Sequence, residues 1–371
     1  MDYGENRYIW QADDWPNWRY DLSALTGLLA DVSRAQGALF GRLTDVGLAQ
    51  RDQANLIALT EDAVKTSEIE GEILDAESVR SSIARRLGLS IGALAPVDRH
   101  VEGVVEMVLD ATSHPTSPLT AERLFGWHAA LFPTGYSGMN KIAVGQWRND
   151  AFGPMQVVSG PPKRRTVHFQ APPADALPVE MEKFLSWANE ETCEAALIKA
   201  SLAHLWLVTI HPFDDGNGRI ARAVSDLFLA RADGSPQRFY SLSAQIQRER
   251  GEYYNALERA QKGTLDVTDW LSWFLSALGR AIARAQDALD IVLVKARFWH
   301  RWAGTPLNAR QVELLNRLFG SFEGRLTSSK WAVIAKCSPD TALRDITQLL
   351  ELGMLKKSPG GGRSTGYELA A

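Results

Sequence analysis

"HPFDDGNGRIAR", residues 211–222, lies between two apolar runs, "ALIKASLAHLWLVTI" at 196–210 and "AVSDLFLARA" at 223–232. Apolar residues recur at spacings of three and four on both sides, so the twelve residues read as a loop joining two helices, the second opening near Gly218. Glycines on either side of Asn217 let the backbone turn sharply and bring its N–H groups close to a ligand. The start of the second helix adds unpaired donors and a positive dipole end, a shape suited to phosphate. Arg219 and Arg222, three apart, lie on one side of that helix and can reach further phosphate oxygens with planar forks. His211, at the lip of the loop, is a side chain able to take a proton from a hydroxyl near neutral pH. Asp215, beside the anion loop, is placed to hold Mg²⁺ against phosphate oxygens. Phe213 reads as a buried anchor.

Outward from the loop the chain is mainly helical, with helical periodicity through 22–65, 97–111, 120–132, 175–208, 218–232, 247–262 and 268–300. Thr120 is an expected N-cap, as is Thr268 or Asp269 further on. Trp270 and Trp273 read as core anchors. Between 133 and 174 the helical pattern gives way to a Gly- and Pro-rich stretch with two β-type runs, "MQVV" and "TVHF", separated by "SGPPKRR". That is a hairpin signal inside a helical protein.

The 371 residues exceed what one ordinary core needs, and two or three domains are expected. The whole-chain charge of −4 gives no sign of a polyanion partner, but residues 291–371 carry twelve Lys and Arg against six Asp and Glu. Cys193 and Cys337 lack metal-ligand spacing and are expected to be reduced and structural. The charged, Trp-containing N-terminus is unlike a secretory signal, and no apolar run reaches membrane-spanning length. A soluble, cytoplasmic protein without a membrane partner is expected.

From residue 306, "LNARQVELLNRLF", "LTSSKWAVIAKC" and "SPDTALRDITQLLELG" read as three helices, the third capped by Ser338 with Pro339 behind it and closed by Gly353. "MLKKSPGGGRSTGYEL" follows as two short strands, which completes the order of a winged helix-turn-helix. On that reading Thr341, Arg344 and Gln348 face outward and Lys356, Lys357 and Arg363 flank the wing. A DNA-binding regulator is therefore an alternative function. It is not favoured, because the third helix carries acids and a single arginine.

The motif at 211–222 fits the Fic family signature, HxFx(D/E)GNGRxxR, at every specified position, and the chain resembles that family from roughly residue 10 to 285. "IWQADDWPNWRYD" also looks like the N-terminal region of one bacterial branch. The resemblance implies a Fic-type helical core with a β-hairpin flap, and domains at 1–95 (N-terminal helices), 96–290 (catalytic core, flap about 155–170) and 291–371 (winged helix). It implies transfer of AMP from ATP to a hydroxyl of a target protein, its own included. His211 would be the base, with Asn217 and Arg219 as further catalytic residues, and Asp215 would bind Mg²⁺. Asp214, Gly216, Asn217, Gly218, Arg219 and Arg222 would hold the nucleotide. "GQWR" at 145–148 resembles the pattern that precedes the flap in relatives. Gln156, Val157 and Val158 would dock the target by strand addition, while Tyr253, Leu257 and Gln261 would border the base. Tyr253 reads equally well as core. A homodimer is also implied.

"KTSEIEGEIL" at 65–74 fits the (S/T)xxxE(G/N) pattern of the family's inhibitory helix, here about 60–72, with Thr66, Glu70 and Gly71 at the patterned positions. Thr66 and Glu70 share a helix face. In relatives the glutamate pairs with the second motif arginine, here Arg222, where it occupies donors and repels a polyanion. In some relatives the same glutamate supports removal of AMP from a modified target, which leaves that reverse reaction as a second alternative.

Overall fold

A computed structural model describes residues 8–370 apart from 45, 92–94, 152, 162–163, 192, 320–321, 323 and 359–364. The chain divides into two compact units, residues 1–286 and 287–371.

The first unit is built from helices α1 (Leu22–Thr44), α2 (Leu48–Ile69), α3 (Ala76–Arg86), α4 (Arg99–Ser113), α5 (Ala121–Leu131), α6 (Leu177–Asn189), α7 (Ala196–Ile210), α8 (Asn217–Asp233), α9 (Leu242–Arg248), α10 (Arg250–Gln261) and the start of α11 (Thr268–Arg301). Every residue of α7 from Leu197 to Ile210 is buried. A helix apolar all round belongs at the centre of a core, and α7 packs most extensively against α8, the helix on the other side of the motif loop. α2 lies against α9, α3, α4 and α8, which brings the segment after residue 65 to the motif.

The periodicity expected through 22–65 is two helices, with Gly47 at the N-cap of α2. The run 175–208 is also two, because α6 ends at Asn189 and α7 starts at Ala196. α3 was not expected. Its buried face includes Ser81 and Ser82, which interrupt the apolar pattern, and Asp75 caps it by accepting from Ser78 N at 2.8 Å. Thr120 caps α5 as expected. Thr268 is instead the first residue of α11, and Asp266 Oδ1 accepts from its N–H at 3.0 Å. Trp270 is buried and Trp273 half-buried.

The irregular stretch holds two hairpins. β1 (Tyr136–Ser137) pairs with β2 (Asn140–Lys141), which the sequence reading missed. β3 (Gln156–Ser159) pairs antiparallel with β4 (Thr166–Gln170), Gln156 opposite Gln170, with a register shift between Val157 and Val158.

The second unit contains α12 (Ala309–Leu318), α13 (Ser328–Ile334), α14 (Pro339–Glu351) and the hairpin of β5 (Leu355–Lys357) with β6 (Tyr367–Leu369). Leu314, Leu315, Trp331, Ile346, Leu349 and Met354 form its core. Ser338 caps α14 and Gly353 follows it at φ 75°. Arg344 and Gln348 are exposed and Thr341 is half-buried, and Gln348 Oε1 accepts from Gln311 Nε2 at 2.9 Å. Arg363 lies outside the described residues. Both cysteines are free, and Cys193 is exposed rather than part of the core. No helix among the described residues is long and apolar enough to cross a membrane.

Candidate active site

His211 terminates α7 in a left-handed conformation, φ 53° and ψ 58°. Its Nδ1 lies 3.1 Å from the Val208 carbonyl. A carbonyl only accepts, so Nδ1 carries the proton and Nε2 is left with its lone pair. Burial holds the imidazole below its ordinary pKa, with Arg148 adding to the effect, so the ring is a neutral acceptor at neutral pH.

Phe213 is fully buried and stacks on His128, ring centroids 4.3 Å apart, with Trp147 at 5.3 Å. Asn217 Oδ1 accepts from Phe213 N at 2.9 Å and Nδ2 donates to Phe213 O at 2.7 Å. The Asn217 side chain therefore closes the loop, and the residue also lines the cavity described below. Gly216 caps α8 at φ 81°. A Cβ on Gly218 would stand 2.3 Å from Glu70 Oε1, so only glycine admits the carboxylate at this point.

Arg222 is buried, and α2 with its C-cap takes the donors of two of its three guanidinium nitrogens. Its Nε donates to Thr66 Oγ1, and Nη2 donates to both Thr66 O and Glu70 Oε1, each at 2.8 Å. Burial opposes its charge, but Glu70 and Tyr253 outweigh that and raise its pKa. Glu70 is the C-cap of α2 rather than a residue within a helix over 60–72. Gly71 follows at φ 88° and turns the chain back. That turn delivers a residue the sequence reading missed: Glu72 Oε2 accepts from Arg219 Nη1 at 2.6 Å and lies 3.1 Å from His100 Nε2. The His100 hydrogen bond holds the Glu72 carboxyl below its usual range against the opposing effect of burial, and Arg219 reinforces it. Arg219 lies over the Phe132 ring, 5.1 Å from its centroid. After all these contacts Arg222 Nη1 and Arg219 Nε remain buried without a hydrogen-bond partner.

The two acids of the loop are tied to the stretch before the flap. Asp214 Oδ2 accepts from Ala143 N at 2.8 Å. Asp215 accepts from Gly216 N at 2.6 Å through Oδ1 and from the Ser137 hydroxyl through Oδ2. No group of three or more His, Cys, Asp or Glu among the described residues could hold a metal by itself. A single carboxylate fits Mg²⁺ only where phosphate oxygens and waters complete the shell.

One cavity of about 590 Å³ gathers most of the predicted residues: Glu70, His211, Asp214, Asp215, Asn217 and Gly218 on one side and Gln156, Val157 and Val158 of the flap on another. Tyr253, Leu257 and Gln261 of α10 line it as well. The Tyr253 hydroxyl is 3.0 Å from His204 Nε2, so that side chain is both a wall of the cavity and part of the core. Gly216, Thr66, Gly71, Arg219 and Arg222 stand behind the lining. β3 pairs with β4 alone, which leaves its outer edge open among the described residues. The N-terminal segment braces the flap from the other side. Tyr8 meets Phe169 edge to face at 5.2 Å, and Trp10 Nε1 donates to Gln170 O at 2.7 Å.

A mainly helical fold in which one helix–loop–helix supplies a histidine and two arginines to a cavity under a hairpin is the Fic type. Residues 118–229 match the family model described as Fic/DOC family, and residues 8–89 match one described as a domain of unknown function, DUF4172. The chain carries a Fic/DOC-family domain. Over 100 residues it is 36% identical to "Protein adenylyltransferase Fic" of Drosophila mojavensis, covering 26% of this chain and 18% of that protein. Over 123 residues it is 32% identical to "Uridine 5'-monophosphate transferase" of Xanthomonas campestris pv. campestris (strain 8004), covering 31% and 22%. The matched stretches span less than a quarter of these curated relatives. Among solved structures, a Fic family protein from Desulfovibrio desulfuricans G20 matches over 93% of this chain and 95% of its own, with a TM-score of 0.52 at 20% identity. A Fic domain containing signaling protein from Bacteroides thetaiotaomicron VPI-5482 matches over 72% and 97%, also at 0.52 and 20%. At these identities the likeness is one of fold.

Proposed function

We propose that this protein transfers the AMP moiety of ATP to a hydroxyl of a protein target, releasing pyrophosphate, and that Glu70 and Glu72 restrain it. One observation carries the reading. Arg219 and Arg222 are buried beside the opening of α8, each retains a guanidinium N–H without a partner, and each gives one other donor to a carboxylate of one short segment. An unpaired buried donor is costly, and two converging on a helix N-terminus mark a place for a polyanion. The names of the relatives, an adenylyltransferase and a uridine 5'-monophosphate transferase, agree with nucleotidyl transfer.

His211 Nε2 takes the proton of the target hydroxyl as its oxygen bonds to the α-phosphorus, and the bond from that phosphorus to the pyrophosphate oxygen breaks. The α8 N-terminus and the two arginines stabilise the phosphate charge, so catalysis is mostly positioning and electrostatics. Asp215 would hold Mg²⁺ together with phosphate oxygens, and the ion would offset charge on the leaving group. Val157 and Val158, at the open edge of β3, would align an extended target segment.

Intact and peptide mass spectrometry after incubation with Mg·ATP, or with Mg·UTP, tests this on the wild type, Glu70→Gly and His211→Ala. The expected result is a gain of one AMP in Glu70→Gly that disappears when His211 is also replaced. A UMP gain with no AMP would move the reading to the other nucleotide, and no gain in any form would overturn it.

A further inference from the structure

The tryptophan–arginine pair at the end of "GQWR" precedes the flap, and the arginine does more than mark its start. Arg148 is 3% exposed, and its fork points in three directions. Nε donates to the His211 carbonyl at 2.8 Å, Nη1 to Asp150 Oδ1 at 2.7 Å, and Nη2 to the Pro172 carbonyl at 2.5 Å. Its main-chain N–H donates to the Pro212 carbonyl at 2.9 Å. Asp150 then uses its second oxygen to accept from Ala174 N at 2.7 Å. Residues 150, 172 and 174 are the feet of the hairpin formed by β3 and β4, and 211–212 is the turn that presents the base.

We propose that Arg148 is a positioning residue for the transfer reaction, locking the left-handed turn at His211 to both feet of the flap so that base and docked target meet in one register. The inference rests on the function proposed above. A left-handed histidine is uncommon and is retained where its surroundings over-determine it, and the Arg148 bond to its own carbonyl is part of that constraint. Arg148 serves its three partners from three separate nitrogens of a planar fork; lysine has three donors on a single nitrogen and cannot span the same positions. The charge matters separately from the fork. The groups whose charge bears on His211 are Arg148, which opposes its protonation, and Glu70 and Asp215, which favour it.

The test uses the full chain in a Glu70→Gly background, with Arg148→Lys and Arg148→Gln added. Three quantities are read: AMP incorporation at saturating Mg·ATP, the apparent KM for ATP, and the titration of the His211 ring by NMR on ¹³C-histidine protein, its signal identified by loss in His211→Ala. Arg148→Lys keeps charge and loses the fork. It is expected to lower the incorporation rate about tenfold or more, as a misplaced reacting group does, with KM for ATP and the His211 titration unmoved. Arg148→Gln is expected to raise the His211 pKa by about half a unit or more, since a nearby cation is lost, and to move the acid limb of the rate profile the same way. A full rate in the Lys variant overturns the proposal. So does a Gln variant whose rate falls only in step with its melting temperature while His211 titrates as in the parent. If the parent transfers no AMP, the transfer reading fails, and the NMR titration still judges whether Arg148 governs His211. If Arg148→Gln does not fold, the Lys variant decides on rate and KM.

Discussion

Arg219 and Arg222 stand one turn apart on α8, and the same short segment closes both, yet the two closures differ in kind. Arg222 is wrapped by α2: a hydroxyl, a carbonyl and a carboxylate take its donors, and Gly218 lets Glu70 approach. Arg219 lies over the Phe132 ring and gives one hydrogen bond, to Glu72, a carboxylate about one-third exposed and shared with His100, itself about as exposed. The two carboxylates are about equally exposed, 32% for Glu70 and 37% for Glu72, so the first closure differs in the number of its bonds and in the helix that holds them. The second rests on a single bond, from Arg219 Nη1 to Glu72, so salt screening has more to act on there. Glu70 lines the cavity and Glu72 does not, so a polyanion entering the cavity meets the Glu70 carboxylate.

The largest effect is expected from Glu70→Gly. Losing a charge-assisted bond to a buried guanidinium, worth about 1.5–3 kcal/mol, frees Arg222 and should raise AMP incorporation about 10- to 100-fold, read by mass spectrometry at fixed Mg·ATP. An unchanged rate would break the comparison at its deeper end. Thr66→Ala removes the acceptor of Arg222 Nε while leaving Glu70 in place. A hydrogen bond worth about 1 kcal/mol corresponds to roughly fivefold, with Thr66→Ser close to wild type. Equal rates for the Ala and Ser variants would deny the hydroxyl a part in the lock.

Glu72→Gln should act more weakly. The amide oxygen can still accept from Arg219 Nη1, so only the charge of a partly exposed pair is lost, worth about 1 kcal/mol at most; a two- to fivefold rise is expected, and added salt should reproduce much of it in the wild type but add little in the variant. A rise as large as that of Glu70→Gly would show that the two closures are equivalent.

How much of this could be read from the chain follows from how each part is built. The motif's chemistry is contiguous, so His211, the glycines and both arginines are legible in twelve residues. Thr66 and Glu70 are legible as a pair because α2 keeps them on one face. Glu72 is not, because helical spacing turns it away from Glu70. Only the left-handed turn at Gly71 returns it to the site, and that glycine was the one available signal. His100, on α4, gives none. Asn217 reads as a ligand-facing residue by its neighbours, whereas its amide pairs with the Phe213 backbone. The feet of the flap were equally hidden, since Arg148, Asp150, Pro172 and His211 meet only through tertiary packing. α3 escaped because part of its buried face is serine.

The smallest effect concerns His100, and its sign is fixed by the two shifts. His100 is held above its ordinary pKa foremost by the hydrogen bond to Glu72, with burial opposing. A raised folded value means the pair contributes full stability below the ordinary histidine value, near 6.5, and loses it as pH rises through the folded value. On the acid side the same pair fails once pH falls through the lowered value of Glu72. The contribution therefore occupies a window between those two limits. Both partners are more than a third exposed, so solvent screening reduces it to a few tenths of a kcal/mol, about 1–2 °C in melting temperature for a unit of this size. His100→Gln should melt that much lower than wild type near pH 6 and match it near pH 8.5 by scanning calorimetry. A difference that is the same at both values would mean that the proton on His100 does not hold Glu72, and that Arg219 alone keeps that carboxylate in place.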